Sequence, residues 1–175
     1  YRTRRILTGT LDGIEQTAGG KTLATVSFRG FRIAIPIREM LVLEDRMPSG
    51  RACADYMNRL NRILGTMLGA EIDFIVKGID STTHSAVASR REAMLRKRQT
   101  FYLGKDVSGN PYIYPGRLVE ARVIAVAEKV LRVEAFGIEC AIFARDLSWQ
   151  WVSDVRDLYS VGDRVLVRVQ EISGE

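Results

Sequence analysis

The sequence predicts a mainly β protein: two tandem five-stranded barrels with short helices, a helical insertion in the first and a helical linker between them. Three observations carry that expectation. The first is a repeated phrase, LGAEIDFIVKGID over 68–80 and VGDRVLVRVQEI over 161–172. Gly69 matches Gly162, Ile72 matches Val165, Phe74 matches Val167, Val76 matches Val169 and Ile79 matches Ile172, a constant offset of 93 residues. The second is that each copy alternates apolar and polar residues with period two, as a strand with one buried face does. The third is that each copy is preceded by three short strands with tight turns and then by a helical stretch. Repetition at this scale means one small domain used twice.

The elements follow in order. After Arg2, Arg4 and Arg5, residues 6–14 (ILTGTLDGI) form a glycine-punctuated strand, Gly19-Gly20 turns, and 22–28 (TLATVSF) returns as a hairpin. Gly30 turns the chain into 31–37 (FRIAIPI), where Pro36 must sit at an edge or a strand end because it donates no ladder hydrogen bond. Met47-Pro48-Ser49-Gly50 breaks the chain. Tyr56, Met57, Leu60, Ile63, Leu64 and Met67 then recur at helical spacing, with Ser49 as the expected N-cap and Gly69 as the stop. Such a stripe plugs a barrel end rather than lining a ligand groove. The repeated strand follows, then a polar turn over 80–84 holding His84, the one histidine, read as a surface residue. Residues 85–89 (SAVAS) are the fifth strand.

Residues 90–103 (RREAMLRKRQTFYL) favour helix and hold the densest basic cluster, Arg90, Arg91, Arg96, Lys97 and Arg98, with Phe101 and Tyr102 beyond it. Two readings stand: cations and aromatics facing a polynucleotide, or a solvated helix anchored by its aromatics. Residues 105–116 are loop. The second unit repeats the plan in strands at 118–127, 130–136 and 138–144, followed by a short amphipathic helix over 148–159. That helix turns Val152, Val155 and Leu158 inward, with Ser153 as its cap. Gly30 to Gly69 spans 39 residues and Gly137 to Gly162 spans 25, so the first unit carries a 14-residue insertion in its helical connection. The order strand, strand, strand, helix, strand, strand is that of the oligonucleotide-binding barrel. The domains expected are 1–93, a basic linker over 94–116, and 117–175 with its closing strand missing. Truncation is preferred there over a substitute strand from 112–114, and Tyr1 in place of Met indicates a missing start.

Charge is uneven. Residues 1–93 carry 14 Lys/Arg against 10 Asp/Glu, 94–116 carry 4 against 1, and 117–175 carry 8 against 10, within a net charge of +5. A polyanion reached through the first half and the middle fits this, as does an ordinary solvated surface. With 46% hydrophobic residues, no long apolar run and two distant cysteines, the chain reads as a cytoplasmic protein with reduced thiols and no membrane association. It has no phosphate-cradling glycine loop followed by Lys-Ser/Thr, no histidine pair and no metal-ligand spacing, so neither cofactor nor catalysis is expected. The paired Glu44-Asp45 beside Arg46 reads as a solvated loop.

A family resemblance adds to this. GIECAIFARDLSW over 137–149 looks like the third strand and turn of the RNA-binding repeat of the large ribosomal small-subunit protein "S-one". VGDRVLVRVQEI is similar to its fourth strand, and Ala88-Ser89-Arg90-Arg91 resembles the basic end of its fifth. The likeness is good over 118–172 and looser over 7–91. It implies a five-stranded barrel that binds single-stranded RNA without catalysis, on a ribosome or another RNA–protein complex. The family stacks bases on two aromatics and a histidine; carried over, those positions hold Lys129, Arg132 and Phe143, and cations still stack or meet phosphate. Arg145 and Arg168 join this expected surface. In the first unit the positions hold Thr22, Thr25 and Pro36, unsuited to stacking. That barrel either meets phosphates through Arg29, Arg32 and Arg38 or only supports the second. The competing expectation is a protein-interaction scaffold docking onto a ribosomal or RNA-processing complex; an enzyme ranks last.

Overall fold

Leu11, Ala24, Val26, Ile35, Ile72 and Phe74, each fully buried, mark the inward positions of the first four strands and show how period-two alternation becomes a core. The computed structural model describes residues 3–42 and 48–173; Arg2, the Glu44-Asp45 pair, Arg46 and Met47 lie outside the described residues. The chain divides into two compact units, Tyr1–Ala93 and Met94–Glu175.

In the first unit, β1 (Ile6–Gln16), β2 (Thr22–Phe28), β3 (Phe31–Pro36), β4 (Glu71–Asp80) and β5 (Ser85–Ser89) close into a barrel of order β1-β2-β3-β5-β4. The β3–β5 pairing is parallel and the other pairings are antiparallel, β4 returning onto β1. Closure leaves no strand edge. Pro36 ends β3, where its missing N–H costs nothing. Bulges at Asp12 and Lys77 supply the bend that a small barrel needs. The Asp12 carboxylate fills its bulge by accepting from the Ser27 N–H at 2.8 Å.

A short helix missing from the sequence reading, α1 (Ile37–Met40), follows β3. The insertion is α2 (Arg51–Thr66), and its stripe packs inward, with Leu60, Leu64 and Met67 at most 2% exposed. Ser49 is not its cap. Gly50 takes that position with φ +65, and no side chain bonds the first turn. The third helix, α3 (Arg90–Arg98), starts at Ser89, whose Oγ accepts from the Glu92 N–H at 3.0 Å, and runs into a π turn at Gln99–Leu103.

In the second unit, β6 (Leu118–Val126), β7 (Val130–Ala135), β8 (Ile138–Phe143) and β9 (Arg164–Arg168) form an open sheet of order β8-β7-β6-β9. The second five-stranded barrel expected from sequence is therefore present only as four strands, and residues 112–114 form no substitute strand. The core is Ala121, Val123, Leu131, Val133 and Val155, with Ile142, Leu147, Val152, Val165 and Val167 against it. The amphipathic helix expected over 148–159 does not form. Two 3-10 turns, Ala144–Asp146 and Val155–Asp157, bracket an irregular segment. Ser148 Oγ accepts from the Gln150 N–H at 3.1 Å and Asp154, not Ser153, accepts from the Arg156 N–H at 2.9 Å. These local bonds take the donors a helix needs, so Val152 and Val155 still turn inward while Leu158 stays 57% exposed.

The two units repeat geometry in detail. Arg29-Gly30 and Phe136-Gly137 both join their strands through two residues of positive φ (48° and 81°, 51° and 90°), the primed hairpin turn. The first hairpin bulges at Asp12 and the equivalent one at Ile124. The Gly69 N–H donates to Leu11 O at 2.8 Å, and the Gly162 N–H donates to Val123 O at 3.0 Å. Among the described residues, no helix is long and apolar enough to cross a membrane.

Candidate nucleic-acid interface

Partners in an antiparallel ladder point to the same face, so the β7–β8 register sorts this surface. Leu131 opposite Ile142 and Val133 face the core, while Cys140 across from Val133 is exposed. Val130 opposite Phe143 and Arg132 opposite Ala141 face outward, leaving Phe143 49% exposed at the end of β8. The chain then bends through Ala144–Asp146, and the Arg145 guanidinium comes over the Phe143 ring, 5.4 Å from its centroid. Beyond it the connection to β9 presents Trp149 and Trp151, 106% and 88% exposed. Lys129, just before β7, completes the wall. Together Lys129, Phe143, Arg145, Trp149 and Trp151 line a groove of about 570 Å³.

The connection is pinned at its far end. Lys129 Nζ donates to Ser153 O at 2.6 Å, lies 3.3 Å from Glu128 Oε1 and stands 5.7 Å from the centroid of the Trp151 ring. The Val155 N–H donates to Glu128 O at 2.9 Å. Arg156 forks onto Asp154, and that side-chain hydrogen bond holds the Asp154 carboxyl down to about 2. The Cys140 thiol is pushed up by burial and by Glu139, so it stays protonated. Tyr102 is raised to about 12, chiefly by burial. The wall is thus aromatic and cationic. Among the described residues no cluster of His, Cys, Asp and Glu is arranged to hold a metal.

The residues expected from sequence are distributed unevenly. Lys129, Phe143 and Arg145 meet in the groove. Arg132 stands on the outer sheet face, bonded to Glu139 Oε2 at 2.8 Å. Arg168 has the same facing opposite Leu118, on the order of 25 Å farther along the strands. Arg90 is a correction: it is fully buried, with Nη1 donating to Met40 O at 2.7 Å, and cannot reach a phosphate. Arg91, Arg96, Lys97 and Arg98 are half-buried, and Arg98 Nε donates to Gly137 O. The aromatics beyond them are anchors: Phe101 packs on Phe136 at 4.5 Å and the Tyr102 hydroxyl donates to Ala135 O at 2.7 Å. In the first unit Arg29 lies over the Phe28 ring, Arg32 pairs with Glu15, and Arg38 is exposed on α1.

Residues 113–175 match the S1 RNA binding domain. The S1 domain spans β6 to β9 and the whole groove, and it carries with it a general RNA-binding role. Residues before 113 lie outside that match. No curated protein matches the chain. Within the S1 domain, sequence reasoning missed Trp149 and Trp151. The signal was there: in a helix through Val152 and Val155, tryptophans at 149 and 151 cannot both share the buried face, and neighbouring Ser148 and Gln150 mark a polar stretch.

Proposed function

We propose that the chain binds single-stranded RNA without catalysing a reaction, with the S1 domain as its principal contact. The observation that carries this is the groove: exposed aromatic rings beside Lys129 and Arg145, in the segment matching an RNA-binding family. Bases supply flat faces for the rings and phosphates supply charge for the cations. We read the first unit as a degenerate second copy of the same domain, supported by the shared hairpin turn, the shared bulge and the Gly69 and Gly162 hydrogen bonds. Pro36 stands where Phe143 stands, so the first copy contributes phosphate contacts from Arg29, Arg32 and Arg38 at most. Arg91, Arg96, Lys97 and Arg98 add a basic path along α3.

Polarisation of a labelled single-stranded RNA, titrated at two salt concentrations, tests the proposal. Binding is expected to fall steeply with salt, and the double change Arg96→Gln with Lys97→Gln is expected to lower the log–log slope by about 2. No binding at low salt would sink it. A second reading, docking onto a ribosomal or RNA-processing complex, is favoured by β8 and β9 each pairing on one side alone among the described residues. Association with such a complex that survives nuclease treatment would favour it over the first.

A further inference from the structure

We propose that Trp149 and Trp151 form a stacking arm that takes an unpaired base off the face of the sheet, with Lys129 positioning the arm and Lys129 and Arg145 meeting the attached phosphate. This rests on the RNA-binding reading and adds a site that the sheet face does not contain. Two indoles standing almost wholly in water forgo the burial that usually places large aromatic rings inside a protein or an interface. They are not on a loose tip. The Ser148–Gln150 bond closes one end of the segment, and Lys129 on Ser153 and Glu128 on Val155 close the other. The backbone on either side of the rings is tied down, which lowers the entropy lost when they stack.

Charge chooses the ligand. An aromatic wall with no cation in it suits methylated ammonium groups, but here Lys129 stands over Trp151 and Arg145 over Phe143. Each cation has a carboxylate beside it, Glu128 3.3 Å from Lys129 Nζ and Asp146 3.7 Å from Arg145 Nε. The residues lining the groove include both cations and neither acid, so the groove itself suits an anion better than a cation. A groove of about 570 Å³ falls within the pocket range of about 300–1,000 Å³ that encloses a small organic ligand, enough for an unstacked base and its sugar-phosphate. A duplex keeps its base faces stacked against one another and offers none to the indoles. The arm therefore selects single strands over duplexes, and stacking tolerates any base.

The chain has two tryptophans and both lie here, so tryptophan emission, excited where tyrosine does not absorb, reports on this groove. Emission and the polarisation of a labelled oligonucleotide are to be followed in one titration, using oligouridylate, oligoadenylate and a duplex of equal length. Emission is expected to fall in step with polarisation for both single strands, with the duplex bound at least about tenfold more weakly. Trp149→Ala and Trp151→Ala should each weaken binding about tenfold with the salt slope unchanged, and Trp151→Phe should restore most of the loss. Lys129→Met should lower the slope by about 1. Polarisation that rises while emission stays flat, or a doubly substituted Trp149→Ala, Trp151→Ala protein that binds like the parent, overturns the arm and leaves RNA binding standing. Absence of any polarisation change at low salt overturns both. Quenching by an acidic peptide and not by RNA overturns the arm in favour of a protein ligand.

Discussion

In the first unit the third strand ends at Pro36 and runs into α1, where Met40 is fully buried and its carbonyl accepts from the buried guanidinium of Arg90. In the second unit the third strand ends at Phe143, and the chain goes on through Arg145 to two tryptophans in water. The backbone plan up to that point is shared, including a primed turn, a bulge and a glycine hydrogen bond. The difference lies in what occupies the end of the third strand: the first unit fills it with its own side chains, and the second leaves it lined and open. The first unit uses this position for packing, and the second leaves its side chains exposed.

The largest effect should separate the two hairpin turns. A Cβ at Gly137 would meet Met94 O at 2.2 Å on top of a positive φ, whereas one at Gly30 meets nothing within 4 Å. Gly137→Ala is expected to cost about 3 kcal/mol or more in urea unfolding, and Gly30→Ala about 1 kcal/mol. Equal costs would mean that α3 does not press on the second turn. Next comes the buried Arg90. Arg90→Met removes a buried charge and the donor to Met40 O, so about 3 kcal/mol of stability should go while RNA affinity per folded molecule stays within about twofold. A loss of affinity at constant stability would return Arg90 to the binding surface.

Phe143→Ala should weaken single-stranded RNA binding about tenfold with little change in melting temperature, and Pro36→Ala, its equivalent, should leave binding as it was. Equal effects from both would make the first barrel a stacking site too. The smallest effect concerns the anchor of α3 in the second unit. Tyr102→Phe removes the bond to Ala135 O and should cost about 1 kcal/mol. Burial raises the Tyr102 hydroxyl from 10.0 to about 12, so the fold favours its neutral form. Its contribution is complete below pH 10 and is lost as pH rises from 10 to about 12, because the unfolded chain ionises first. The phenylalanine variant should lose that alkaline decline, which chemical unfolding at a series of pH values would reveal.

Much of this was legible in the residues. Alternation located all nine strands of the described residues, β2 and β5 to the residue, because period two is written locally in which side chains avoid water. The Gly69/Gly162 match was legible because a tight turn with positive φ admits few residues besides glycine. Arg90 was misread because its neighbours are basic and its burial depends on Met40, 50 residues away. The helix over 148–159 was misread because Val152, Val155 and Leu158 have helical spacing, while the side-chain bonds of Ser148 and Asp154 that break it are a matter of conformation.

Local pattern alone determined where the strands lie along the chain and that cations and aromatics occur in the second unit. Tertiary structure decided which of them serve the core and which stand exposed: it buried Arg90, turned Phe101 and Tyr102 into anchors, and gathered Lys129, Phe143, Arg145, Trp149 and Trp151 into one groove. The physical reason is that a side chain's preference for water is fixed by its chemistry and read residue by residue. Its neighbours are fixed by contacts between distant stretches, which exist only once the sheet has formed.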